Sequence, residues 1–362
     1  FVNRLEKSFL LNFPNEYWKQ NKSFEISYEI NSYYFQIKSD FRRNSRVNLI
    51  LSEEFSKVFN ELKNTINVWK EEFRNRELSE VSEGLRFTIP FELHARENIT
   101  KALKQSNISG FFQTQTFIPS SRSFFANLQK NYWSLTDDIL DIDPLISRFG
   151  KSYDNAKNLY NIISKQDVFK PKVDVSNCLN EVIKAEYQEI DGDDWIVNDS
   201  YKVRLSRASS GQQEAFPMLL ILMMNNYRIA GLNFHSMYIE EPEAHLFPDA
   251  QAKVVSAILK IFSKQDTNFF ITTHSPYILT SINNSIYANQ LIESGKVTEE
   301  KFVDISNGSY PINFSDISAY SITKGQITDI KDYELNLIDG TFLDSISNNF
   351  GKIFNQLLDL DS

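Results

Sequence analysis

Two acidic residues, Glu240 and Glu241, follow the apolar run Met237-Tyr238-Ile239 and stand directly before Pro242. The run reads as a buried strand, and the proline forces the chain out of it. Successive strand residues point to opposite faces, so the two carboxylates cannot do the same job. One suits the water shell of a magnesium ion, and the other suits orienting and polarising an attacking water. A second apolar strand within "NFFITTHSPYIL" ends at Thr272-Thr273-His274, with Ser275-Pro276 opening a helix. An imidazole held there is placed to hydrogen-bond a phosphate oxygen or the attacking water. A third piece is "LSRASSGQQE", Leu205 to Glu214, ahead of the long apolar run "FPMLLILMM". Ser210 and Gln213 have the spacing of a capping box, and a capped helix start offers free N–H groups and partial positive charge to an anion. Singly, these read as a cap, a pair of solvated acids and a structural histidine. What sets them apart is their order and spacing, 30 residues from Gly211 to Glu241 and 33 from Glu241 to His274.

These residues need a sheet to carry them. From Ala185 the pattern gives a β-rich segment to Leu205, with a turn at Asp191-Gly192. It continues as helix (Gln212 to Ile229), strand (Ser236 to Glu240), helix (Asp249 to Phe262), strand (Asn268 to Ile271) and helix (Pro276 to Gln290). Strands alternating with helices imply parallel crossovers, and in such sheets ligands bind at the C-terminal strand ends. Earlier in the chain, residues 24–37 alternate around Asn31-Ser32 as a hairpin. Residues from Glu53 to Val81 are helical, with Phe55, Val58, Phe59, Leu62, Ile66 and Trp69 near one face. "FFQTQTFI", residues 111–118, reads as a strand, with helix following to about Ser164. A further hairpin surrounds Lys324-Gly325, and an amphipathic helix is expected from about Leu343 to Leu358.

Composition removes several classes. Hydrophobic residues at 41% and aromatics at 14% exclude a disordered chain. A net charge of −9 leaves no global basic field, so any nucleic-acid contact needs a local patch. The best candidate is Lys38, Arg42, Arg43 and Arg46, although a solvated face is the plainer reading. The single cysteine, Cys178, cannot form an internal disulfide and fits a cytoplasmic location. No run reaches the ~18 apolar residues of a membrane span, so no membrane partner is expected. Asp359-x-Asp361 reads as a solvated tail.

The signature-like helix start, the acidic strand and the histidine, in that order, resemble the C-terminal half of an ABC-type ATPase head. The resemblance is to the OLD-like and SMC-like branch, whose members carry forms similar to "SSGQQ" and "EEPEAHLFP". "FIPSSRSFF", Phe117 to Phe125, resembles the Ile-Pro-x-x-Arg strand end of that branch. The implied fold is α/β, an ABC-type P-loop NTPase head with a mixed sheet and a helical insertion. Its implied divisions are an N-terminal ATPase β-lobe remnant (1–52), a helical insertion or arm with a strand near 114–118 (53–180), a C-terminal ATPase lobe (181–340) and a C-terminal helix (341–362). The cofactors implied are ATP and Mg2+. Ser209, Ser210, Gly211 and Gln212 would contact ATP bound to a partner subunit, and Glu240 would stand at the magnesium position. Glu241 would be the catalytic base, His274 the switch histidine, and His245 and Leu246 part of the D-loop at a dimer interface.

No G-x-x-x-x-G-K-[ST] occurs in the chain. "FGKS" at Phe149 is a decoy, because Leu145 stands where the first glycine belongs, and "SGKV" at Ser294 fails likewise. Glycine is scarce at 11 residues, and the chain opens on Phe1 rather than methionine. A P-loop is therefore expected in sequence that precedes Phe1. The resemblance extends to stand-alone OLD-like ATPases, similar to the ATPase subunits of antiphage defence systems such as PARIS, Septu and retron-linked modules. It implies a homo-oligomer around ATP that controls an effector, a nuclease or toxin encoded nearby. A DNA repair or maintenance ATPase of the RecF and SMC type, with DNA as partner, and an ATP-bound structural scaffold are the alternatives.

Overall fold

The computed structural model describes residues 6, 9–10, 13, 23–30, 33–40, 46–82, 114–126, 143–164, 173–225, 235–264 and 267–340. The chain divides into two compact units, Phe1–Thr114 and Gln115–Ser362. The helix expected from Leu343 to Leu358 lies outside the described residues, as does the turn at Asn31-Ser32.

In the first unit the alternating stretch forms an antiparallel meander of β1 (Glu25–Ile30), β2 (Tyr33–Asp40) and β3 (Arg46–Leu51). Ser52 ends the sheet and starts helix α1 (Glu53–Ser82), its Oγ accepting from the Phe55 amide at 3.2 Å. Glu53 and Glu54 in the first turn complement the helix dipole. Phe55 is fully buried, with Tyr33 edge-on to it and Phe59 stacked on it. The rest of the expected stripe, from Val58 to Trp69, is only half-buried.

The second unit is mixed α/β. Its central sheet has the order β4 (Thr114–Ile118), β8 (His235–Glu240), β9 (Thr267–Thr272). Between them in sequence lie α2 (Ser123–Ala126), α3 (Pro144–Ile163), α4 (Ser176–Ile183) and the antiparallel sheet β5 (Glu186–Ile190), β6 (Asp193–Val197), β7 (Lys202–Arg204). The β5–β6 turn has positive φ at both Asp191 (53°) and Gly192 (83°), as a two-residue hairpin of the primed type requires.

Helix α5 (Ser210–Asn225) is buried at every position from Glu214 to Met224, which is why its sequence shows no amphipathic period. It packs against α2, α3 and α4, with Phe216 between the rings of Tyr153 and Tyr187. Helix α6 (Pro248–Lys264) provides the crossover that makes β8 and β9 parallel, with Glu240 opposite Thr272. Helices α7 (Pro276–Glu293) and α8 (Glu299–Ile305) follow. Ile278 and Ile286 of α7 join Val255 and Leu259 of α6 in a second apolar cluster with Ile312 and Ile338. The unit closes with the hairpins β10 (Tyr320–Thr323), β11 (Gln326–Asp329) and β12 (Lys331–Asp332), β13 (Leu337–Ile338). No described helix is long and apolar enough to cross a membrane.

Cys178 lies on α4, its Sγ 3.1 Å from the Lys253 carbonyl. Burial pushes the thiol up to about 12, with Glu181 adding to the shift. At pH 8 the group is therefore a thiol rather than the reactive thiolate. The folded protein is expected to resist iodoacetamide at that pH and to take one label after unfolding in urea; rapid labelling of the native protein would contradict the burial.

Candidate functional site

Two of the sequence pieces meet at one edge of the second unit because β8 and β9 are parallel neighbours, and the third lies beside them, with Gly211 against His245 and Leu246. Glu240 closes β8, and the Glu241 amide extends the pairing by donating to the Thr272 carbonyl at 2.9 Å. His274 stands two residues beyond β9, so both groups lie past the C-terminal strand ends. Their side chains meet, with His274 Nε2 3.7 Å from Glu241 Oε1. That gap is wider than a direct hydrogen bond, yet it lets one water touch both groups. The imidazole is 87% exposed and the carboxylate 42%, so a ligand can reach them.

Glu241 has φ +42°, a left-handed conformation that non-glycine residues adopt at a cost of roughly 1–3 kcal/mol. It turns the chain abruptly and aims the carboxylate away from the path Glu240 takes. Glu240 lies back toward β4, with its Oε2 accepting from the Ser120 amide at 3.4 Å. The two carboxylates therefore face different neighbours, Ser120 for Glu240 and His274 for Glu241.

The carboxylate oxygens here are hard donors, as a magnesium ion prefers, and such an ion is commonly held by one or two carboxylates with phosphates and water. Among the described residues no group of three or more metal-ligating side chains forms a closed cage. Glu240 fits an open site of that kind and no tighter one.

A third carboxylate, Glu243, shapes the loop. Its Oε1 accepts from Thr273 Oγ1 and from the His274 amide, each at 2.8 Å. Ser275 then caps α7, accepting from the Tyr277 amide, while its Oγ donates to Gln251 Oε1 at 2.6 Å. Gln251 Nε2 reaches the Leu246 carbonyl at 2.8 Å, so the loops after β8 and β9 are tied together. Spacing did not single out Glu243, although it is the last acid of the same "EEPE" run.

At the start of α5 the capping box is one residue earlier than the expected pairing of Ser210 with Gln213. Gln212 Oε1 accepts from the Ser209 amide at 3.1 Å and from its hydroxyl at 3.0 Å, and Ser209 Oγ lies 3.4 Å from the Gln212 amide. Gln212 Nε2 is anchored on the Ile183 carbonyl at 2.6 Å, which fixes this register. Gln212 is thus occupied with the cap and with α4. Ser209 and Ser210 are exposed. Gly211 fits tightly against the loop after β8: a β-carbon there would lie 2.7 Å from the His245 carbonyl oxygen. His245 is itself left-handed, at φ +59°.

Behind these groups lies Arg122, wholly buried. Its Nε donates to the Glu214 carbonyl at 2.9 Å and its Nη1 to the carbonyls of Pro119 and Glu240, each at 2.8 Å. Its Nη2 donates to the Glu241 carbonyl at 3.0 Å. The Glu214 carboxylate answers by accepting from the amides of Arg122 and Ser123 at 2.8 and 3.0 Å. Burial lowers the pKa of Arg122, while Glu214, Glu243, Glu241 and Glu240 act to raise it.

The basic cluster is described only in part. Lys38 pairs with Glu25 at 3.0 Å, Arg46 begins β3, and Arg42 and Arg43 lie outside the described residues.

Paired carboxylates and an imidazole thus lie past the ends of parallel strands, beside a capped helix start, where ligands bind in α/β domains. The family model of the AAA ATPase domain matches residues 1–279, and the chain belongs to that family. The matched range includes the helix start, both acids and His274. No curated protein matches the chain.

Proposed function

We propose that this AAA ATPase domain is an ABC-type head of the OLD-like branch, which hydrolyses ATP bound between two copies. The observation that carries this reading is the 3.7 Å pairing of Glu241 with His274 at the ends of adjacent parallel strands. Glu241 takes the proton of the attacking water, and His274 holds that water or a terminal phosphate oxygen in line. Magnesium, when bound through Glu240, neutralises phosphate charge. The start of α5 addresses the ATP of the second copy, with the Ser210 hydroxyl and the first N–H groups of the helix as donors and the Ser209 hydroxyl joining them when it leaves Gln212 Oε1. His245 and Leu246 sit beside Gly211, which supports assigning them to the same intersubunit surface.

The biological role we infer is control of an effector protein, a nuclease or toxin, in antiphage defence, with oligomer assembly as the switch. It is supported by the likeness of "SSGQQ" and "EEPEAHLFP" to the stand-alone OLD-like ATPases. The paired base and histidine favour turnover over a static scaffold.

Ser209→Arg tests the shared site. Its long cation should block the approach of the second copy's nucleotide and abolish ATP-dependent assembly in light scattering. An unchanged assembled fraction would remove the trans role of this helix start.

A further inference from the structure

We propose that Arg122 is a positioning residue for hydrolysis, setting Glu241 by holding the two carbonyls that flank its turn. This rests on the reading of Glu241 as the base. The left-handed turn at Glu241 is costly, so the surrounding structure must determine it. Three bonds do so. The Glu241 amide is fixed on Thr272, and its carbonyl accepts from the Ala244 amide and from Arg122 Nη2, each at 3.0 Å. Nη1 holds the preceding carbonyl, that of Glu240. The planar guanidinium thus spans the peptide groups on which the carboxylate pivots.

The other end of this device is the first turn of α5. Glu214 is buried and gives both carboxylate oxygens to the Arg122–Ser123 backbone, while its own carbonyl receives Arg122 Nε. Ser209 and Gly211 lie within the preceding five residues. A displacement of the helix start therefore reaches Glu241 through the Glu214–Arg122 pair, beside the contact of Gly211 with the His245 carbonyl. Arginine is required because an ammonium group cannot bridge Glu214, Glu240 and Glu241 in one plane.

The test is a double-mutant cycle in single-turnover hydrolysis with full-length protein. Arg122→Lys keeps the charge but loses the fork, and its turnover should fall at least about tenfold while ATP affinity stays within about threefold. In a Glu241→Gln background the same substitution should change the residual rate less than about threefold, because the group it positions is already gone. Should Arg122→Lys fail to fold, as judged by thermal melting, Glu214→Gln enters the same cycle with the same expectation. An equal rate loss in both backgrounds, or no loss in either, overturns the positioning role and leaves the base assignment intact. Normal turnover of Glu241→Gln alone removes the base assignment, and this inference with it.

Discussion

Glu241→Gln is expected to bind ATP and assemble normally while hydrolysing it more slowly by roughly 10²–10⁴-fold, the usual worth of a positioned general base. Glutamine keeps the length and shape of the side chain, and the backbone bonds that hold the turn do not involve the carboxylate. Only the ability to accept a proton is lost. Measuring phosphate release beside nucleotide affinity separates the two effects. A rate within a few-fold of the parent would mean that the 3.7 Å pair is structural and that the water is activated elsewhere.

Arg122→Ala should be the most destabilising single change in the second unit. Breaking a buried ion pair costs about 3–5 kcal/mol, because the surviving charge is stranded. Here Glu214 is stranded at 2% exposure, and four carbonyls lose a donor at once. Urea unfolding should show a lower midpoint at similar slope. Replacing both members, Arg122→Met with Glu214→Leu, should restore little of the stability, since the same four carbonyls still lack that donor and the amides of residues 122 and 123 lose their acceptor. It should not restore hydrolysis either, because the Glu241 carbonyl is then held by the Ala244 amide alone and the Glu240 carbonyl has lost Arg122. A stable Arg122→Ala protein would show that water or a rearranged Ser120 loop satisfies those carbonyls.

The elements that carry the site were legible because their patterns are local. Apolar runs ending in acids or histidine gave β8 and β9, and the helix between them gave their parallel pairing. The "SSGQQ" stretch was ambiguous for a physical reason. Ser209 with Gln212 and Ser210 with Gln213 have identical spacing, and the choice depends on where Gln212 Nε2 finds the Ile183 carbonyl, 29 residues away. Arg122 was visible as part of a strand-end pattern but not as a link. Its partners are backbone carbonyls as far as 119 residues along the chain, and any residue type supplies a carbonyl. Glu243 was hidden beside two more conspicuous acids. Its contacts lie on the next loop, 30 residues on, and no periodicity points there.

The left-handed turn at Glu241 also governs which residues this position can accept. Its φ of +42° penalises β-branched side chains most and is tolerated best by glycine, asparagine and aspartate. Reach to a water shared with His274 is supplied by glutamate and preserved in shape by glutamine. A saturation scan at residue 241 should therefore yield two orderings that disagree. Protein abundance would rank glycine and asparagine high and valine and isoleucine low, whereas activity would single out the parent residue. Where these orderings cross, the chain has kept a residue that folds less well than its alternatives.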